Sequence, residues 1–285
     1  MLWAEAKIGK EPVSLNEPVR KKAPDRPRKV KVFGERNTGT RAVISMLQAA
    51  QGVRAVSPKD PMPDLDRLTA RVEETLTRFR RTLYRDAIRD IQDSRLGGIS
   101  AWKHAAPQID SSYADKRASV LFMVRDPYSW VASLCRNPYH ARAPRFDRLE
   151  DFLTFPWITL ARDNVGPLLE SPMLLWNAKL RAYLEFSKAA PVPSTVLHFE
   201  DFVLDPVAAL GKALAQLEIR ADGLAEIGAS TKENGRDHAA RQARYREEHW
   251  KREITPEAAR LIDSFVDWDL AAEFGYGPRA GREFS

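Results

Sequence analysis

The sequence predicts an α/β fold: a single P-loop-like domain in which a central parallel sheet is flanked by helices on both faces. Three observations predict it. Apolar runs of strand length at 29–33, 119–124 and 195–199 are separated by segments of helical periodicity, the alternation that winds a parallel sheet. The first run enters a Gly-x-x-x-x-Gly turn, Gly34 to Gly39, that opens a helix. The second ends in Asp126-Pro127, a capping residue followed by a proline suited to the first helical position. At 285 residues the chain can bury a full α/β core, and one large domain is expected.

Residues 1–28 read as a basic, proline-containing flexible arm. Residues 1–30 hold eight Lys or Arg against four acids, so much of the net charge of +6 is expected outside the folded part. The domain is then expected over 29–276, with 277–285 as a C-terminal tail.

The turn after the first strand is phosphate-binding architecture. Such a loop points backbone N–H groups at an anion, and the helix it opens adds the positive end of its dipole. A nucleoside triphosphatase would follow the second glycine with Lys and then Ser or Thr; here Thr40 and Arg41 follow. The lysine for β- and γ-phosphates and the hydroxyl for Mg²⁺ are both missing, which points to a nucleotide bound without a metal-bridged triphosphate.

Next along the chain, Leu65, Leu68, Val72, Leu76, Phe79, Leu83, Ala87 and Ile91 recur every three or four residues and predict a long amphipathic helix with an Arg-rich outer face. The segment 101–107, AWKHAAP, follows an apolar start and reads as the end of a strand carrying Lys103 and His104. Neighbours on a strand face opposite ways, so both reach one pocket only if the strand has ended by Lys103. After the run at 119–124, Arg125 is expected at the carboxyl end of a strand, where open α/β sheets bind ligands. Ser133, about 10 Å along the following helix, could share an anion with Arg125 only along the helix flank. Segments 174–189 and 256–274 read as further helices, the latter opened by Thr255-Pro256, with Trp176, Tyr183 and Trp268 as core aromatics. The basic stretch 232–250 reads as a loop passing into a helix.

Composition excludes several classes. No apolar run reaches the length of a membrane span, and the first ten residues have no signal-peptide core, so a cytoplasmic protein is expected. The single cysteine, Cys135, excludes an intramolecular disulfide and a multi-cysteine zinc site, and reads as a small core residue. Five scattered histidines show no metal spacing, so no metal is expected; besides His104, only His140 and His198 stand near candidate segments. The pI near 9.4 suits a doubly anionic ligand, and nucleic acid is not the expected partner because the excess lies in the arm.

The loop and the strand–Arg–helix segment together resemble the two co-substrate motifs of sulfotransferases that use 3′-phosphoadenosine 5′-phosphosulfate. In that family the first loop cradles the 5′-phosphosulfate, and Thr38, Gly39, Thr40 and Arg41 match it. An arginine after a strand and a serine eight residues on bind the 3′-phosphate, and Arg125 and Ser133 keep that spacing. The segment 196–206, VLHFEDFVLDP, and the ending 273–276, EFGY, are also similar, so the resemblance spans about 29–276. It implies sulfuryl transfer to an acceptor hydroxyl by in-line displacement, with adenosine 3′,5′-bisphosphate as product. The Gly-Thr-Arg loop is closer to carbohydrate sulfotransferases than to the phenol- and steroid-directed branch, so a saccharide or other small-molecule acceptor is expected.

One departure stands out. Many members have lysine where this chain has Asn37, which can donate a hydrogen bond but carries no charge. Arg36, Arg41 and Lys103 are the cations placed to compensate. The resemblance makes His104 the base for the acceptor hydroxyl, with Lys103 and Arg36 or Arg41 on the sulfuryl and leaving oxygens. In the family a late basic loop closes the 3′-phosphate site, and Lys232 and Arg236 are the candidates here. Two other readings stay open: a P-loop small-molecule kinase, and a non-catalytic nucleotide- or polyanion-binding protein.

Overall fold

A computed structural model of the chain describes residues 26–56, 78–115, 117–140, 142–226, 242–243 and 245–284. Its centre is a four-stranded parallel sheet. The first apolar run forms β1 (Arg28–Gly34), the second β3 (Ala118–Val124) and the third β6 (Ser194–His198), with a short β2 (Val53–Ala55) at one edge. The strand order is β2-β1-β3-β6, and β1 lies on β3 with Phe33 beside Phe122 and Gly34 beside Met123. A two-stranded antiparallel ribbon, β4 (Trp157–Ile158) with β5 (Leu168–Leu169), stands apart from it.

Alternation along the strands divides the core in two. Phe33, Val120, Phe122 and Val124 face one apolar cluster, while Val30, Val32, Leu121 and Met123 face another. The first cluster is covered by α3 (Pro127–Arg136), α4 (Leu149–Leu153), α5 (Pro172–Ala189), α8 (Pro256–Phe265) and α9 (Trp268–Ala272). The second is covered by α1 (Thr40–Ala49), α6 (Phe199–Leu204) and α7 (Pro206–Gln216). Helices therefore lie on both faces, as the alternation of patterns predicts. Trp176 and Tyr183 are fully buried.

Helix starts follow local chemistry. Asp126 caps α3 by accepting from the Ser129 N–H, with Pro127 at the first position; Thr255 and Pro256 do the same for α8. The amphipathic helix predicted over 65–91 is present as α2 (Arg78–Asp93), while Leu65, Leu68, Val72 and Leu76 lie outside the described residues.

Two expectations need correction. The helix predicted over 256–274 is two helices, broken at Val266, whose extended backbone hands over to Asp267 as the cap of α9. The segment 101–107 is not the end of a strand. Gly98 takes a left-handed φ of 51° and starts a tight turn, Gly98–Ser100, after which residues 101–105 bend and turn. A side chain at Gly98 would collide with the Asp110 carboxylate and Ser112 hydroxyl packed against it.

The tail expected over 277–285 is anchored near its end: Phe284 is buried and stacks on Tyr128 at 5.4 Å, while Gly277, Pro278, Gly281 and Glu283 are exposed. Among the described residues no helix is long and apolar enough to cross a membrane.

Candidate functional site

The site is built where β1 and β3 end. Gly34 closes β1 against Met123 of β3, so tightly that a Cβ at Gly34 would lie 2.6 Å from the Met123 Cβ. The chain then turns through Glu35–Thr38 into α1, with Asn37 at φ 64° and Gly39 at φ 80°. Two left-handed residues spaced by one are the backbone pattern of an anion-holding nest, and Gly39 enters α1 with no side chain capping it. The first N–H groups of any α-helix have no partner within the helix, so the loop and helix start together offer donors to an anion.

Hydrogen bonds brace the loop. Thr38 Oγ1 donates to the Glu35 carbonyl at 2.6 Å, and Trp130 Nε1 donates to the Arg36 carbonyl at 3.1 Å. Arg125 Nη1 donates to the Asn37 carbonyl at 2.7 Å, and Asn37 Nδ2 donates to the Ser133 carbonyl at 3.4 Å. Arg125 therefore leaves the end of β3 and reaches the loop. Its Nε donates to Ser129 Oγ at 2.9 Å, and its guanidinium lies 4.3 Å from the centre of the Phe199 ring. The hydroxyl bonded to Arg125 is thus that of Ser129, one turn before Ser133; Ser133 joins the site through its main chain. Phe199 also lines Gly39, where a Cβ would approach its ring to 3.5 Å.

Behind Arg125, Glu200 gathers donors. It accepts from the Asp126 N–H at 2.9 Å, from the Tyr245 hydroxyl at 3.1 Å and from the Tyr276 hydroxyl at 3.0 Å. Since Tyr276 gives its proton to Glu200, His198 Nδ1 donates to the Tyr276 oxygen at 3.1 Å. Burial is the first effect on Arg125, working against its charge, while Tyr245, Glu200 and Asp126 support it.

His104 stands on the other side of the loop. It is 4% exposed and lies edge-on to Trp102, with 4.9 Å between ring centres. Nδ1 is 2.6 Å from the Gly34 carbonyl. A carbonyl only accepts, so Nδ1 carries the proton and Nε2 the lone pair. Burial, then the charges of Arg36 and Lys103, hold the imidazole well below its usual pKa, so the ring is neutral at pH 7. Because the chain turns here, the strand alternation that would separate Lys103 from His104 does not apply. The Gly34 N–H donates to the Lys103 carbonyl at 3.0 Å, which fastens this turn to the end of β1.

The structure thus brings Arg36, Asn37, Thr38, Gly39, Lys103, His104, Arg125 and the Ser133 main chain around one loop. Arg36 packs its guanidinium 4.9 Å from the Tyr139 ring centre and 5.4 Å from that of Trp102, and donates to the Tyr139 carbonyl at 3.3 Å. Thr40 is buried in the first turn of α1, where Arg41 is exposed. Lys232 and Arg236 lie outside the described residues. Cys135 is half-buried, and burial pushes its thiol up, away from nucleophilic reactivity. Among the described residues no three His, Cys, Asp or Glu side chains are grouped to hold a metal ion.

Sequence reasoning missed a set of buried polar residues behind the loop. Lys179, from α5, is 0% exposed and donates to the carbonyls of His104 at 2.6 Å and Asp163 at 2.7 Å. The Asp163 carboxylate is 3.4 Å and that of Glu35 3.6 Å from the same ammonium. Burial is the main reason the Glu35 carboxyl is raised to about 7. Lys31, on β1, donates to the Ala101 carbonyl and is lowered to about 7, chiefly by burial and then by Lys103. A signal for Lys179 existed: it lies on the apolar stripe with Trp176, Leu180 and Tyr183.

Compared with protein-family models and with curated proteins, the chain matches none.

Proposed function

We propose that the chain is a sulfotransferase that moves a sulfuryl group from 3′-phosphoadenosine 5′-phosphosulfate to an acceptor hydroxyl, with a saccharide as the favoured acceptor. One observation carries the reading: Arg125 bonds the carbonyl of Asn37 in a glycine-turned helix-start loop, while neutral His104 hangs from Gly34 at the loop's other end. An anion seated on the loop would therefore have an arginine on one side and a base on the other. Gly39 is followed by Thr40 and Arg41 in place of Lys and then Ser or Thr, which favours this reading over a kinase.

Each residue then has a task. The N–H groups of 38–40 and the α1 dipole hold the 5′-phosphate, and Arg125 holds the 3′-phosphate. His104 Nε2 takes the proton of the acceptor hydroxyl as its oxygen bonds to sulfur and the bond from sulfur to the phosphate oxygen breaks. Arg36, Lys103 and Arg41 are the cations that stabilise charge on the sulfuryl and leaving oxygens, the work a loop lysine does elsewhere. Positioning and charge supply the catalysis, as in phosphoryl transfer.

The test is calorimetric binding of adenosine 3′,5′-bisphosphate, with ATP–Mg²⁺ as comparator, on the wild type and on Arg125→Ala and His104→Ala. Micromolar binding of the bisphosphate is expected, weakened at least tenfold by Arg125→Ala and left nearly intact by His104→Ala, which instead loses roughly 10²- to 10⁴-fold in transfer rate. Preference for ATP–Mg²⁺ would overturn the reading in favour of a kinase. Binding of heparin or nucleic acid in place of either nucleotide would favour a polyanion-binding protein.

A further inference from the structure

We infer that Lys179 is a positioning residue for His104: its ammonium ties the main chain of the base to the anion loop and so fixes which imidazole nitrogen faces the acceptor. The inference rests on the proposed reaction for its consequence, but its geometry stands independently.

Lys179 donates to the His104 carbonyl at 2.6 Å and to the Asp163 carbonyl at 2.7 Å, with its third direction toward the carboxylates of Asp163 and Glu35. Glu35 directly follows Gly34, whose carbonyl receives the proton of His104 Nδ1. One buried cation therefore grips the turn that carries the base and faces the residue next to the acceptor of the base's own hydrogen bond. The Asp163 carbonyl also accepts from the Ala106 N–H at 2.8 Å, so the chain is held on the far side of His104 as well. The Asp163 carboxylate is fixed in turn by the Tyr139 hydroxyl and the Leu160 N–H, each at 2.9 Å.

A simple structural anchor would need only an apolar side chain at this depth. Burying an ammonium costs several kcal/mol unless its partners are well placed. Here one partner is the His104 carbonyl itself, and Glu35 adjoins the residue whose carbonyl accepts from the imidazole. The Nδ1–H···Gly34 bond selects the tautomer with a free Nε2, and it holds only while the His104 main chain keeps its distance from Gly34. The charged groups facing His104 are Arg36 from the loop, Lys103 from its own turn and Lys179 from α5.

The experiment follows the ring nitrogens of His104 by NMR with isotope-labelled histidine, in the wild type and in Lys179→Met. The wild type should show one tautomer, protonated at Nδ1. In Lys179→Met the ring should become a tautomer mixture and titrate at higher pH, because a like charge has gone. The affinity for adenosine 3′,5′-bisphosphate should stay within about twofold, and kcat should fall about 10²-fold with KM little changed, as expected for a misplaced group. Lys179→Met leaves two buried carboxylates without their cation and can fail to fold. The second variant therefore adds Glu35→Gln and Asp163→Asn, removing the charges together; there the tautomer mixture alone is the expected change at His104. An unchanged tautomer in either folded variant would overturn the inference. A wild type without transfer activity, but with the tautomer shift in the variant, would defeat the sulfotransferase reading and leave this positioning intact.

Discussion

Lys31 and Glu35 show how burial at single residues sets the behaviour around the loop, and their effects on stability run in opposite directions. An unfolded Lys31 keeps its proton up to about 10.5, whereas the folded one releases it near 7. Between those values the unfolded chain binds more protons, so rising pH favours the folded state. Glu35 holds its proton to about 7 when folded and releases it near 4.5 when unfolded, so across that lower window rising pH disfavours the folded state. The two windows barely overlap. Urea unfolding between pH 8 and 9 should therefore show Lys31 adding about 1 kcal/mol of stability per pH unit, and Lys31→Met should flatten that slope. An equal slope in both proteins would mean that Lys31 keeps its proton in the folded state. Neither residue announces this in the sequence: Lys31 stands between Val30 and Val32, and nothing near it in the chain supplies a partner for a buried ammonium. Its burial depends on Ala101, seventy positions away, turning its carbonyl inward.

At the scale of elements, what was legible is what local chemistry dictates. β3 is a nearly continuous apolar run because it is buried on both faces, and Asp126-Pro127 and Thr255-Pro256 start helices for reasons contained in two residues. Gly34 and Gly39 marked the loop because close approach and positive φ require glycine there. The turn carrying Lys103 and His104 was misread because its shape is set by distant partners: Lys31, Gly34 and Lys179 take its carbonyls in place of a strand neighbour. Spacing in the sequence sets Arg125 and Ser133 on one shared anion; what it does not reveal is Ser129, one turn earlier, whose hydroxyl the guanidinium meets directly. Packing at Gly34 gives the sharpest test of this loop as an element. In Gly34→Ala the new methyl would press on the Met123 side chain and, at 2.9 Å, on its carbonyl, which belongs to the sheet and cannot yield without opening the β1–β3 pair. A loss of about 1–3 kcal/mol is expected in denaturant unfolding, together with weaker nucleotide binding, since the same residue opens the loop that leads into α1. A variant as stable as the wild type would show that β1 and β3 part easily at this end.

Across the whole molecule, the residues that close the chain reach back to the start of α3, next to Arg125. Arg279 Nη2 lies 2.9 Å from Asp126 Oδ2, and the Arg279 N–H donates to the Tyr128 hydroxyl at 2.6 Å, while Phe284 stacks on the Tyr128 ring. The sequence reading set these residues apart because the resemblance ends at Tyr276, and nothing local reveals that Tyr128 leaves room for a ring. Asp126 binds this closure to the site. Burial raises its carboxyl to about 6 even though Arg279 works to lower it, so the ion pair exists above that pH and not well below it. Replacing Arg279 with Met should therefore cost little at pH 5, where Asp126 is protonated in both proteins. At pH 8 it should cost about 1–2 kcal/mol, because a buried carboxylate then loses its charged partner. Apolar packing of the methionine stem and of Phe284 is the same at both pH values, so the difference isolates the charge. Unfolding curves at the two pH values measure it directly. An equal loss at both would assign the anchoring of this segment to packing alone, and would mean that the carboxylate capping α3 beside Arg125 holds its charge without help from the end of the chain.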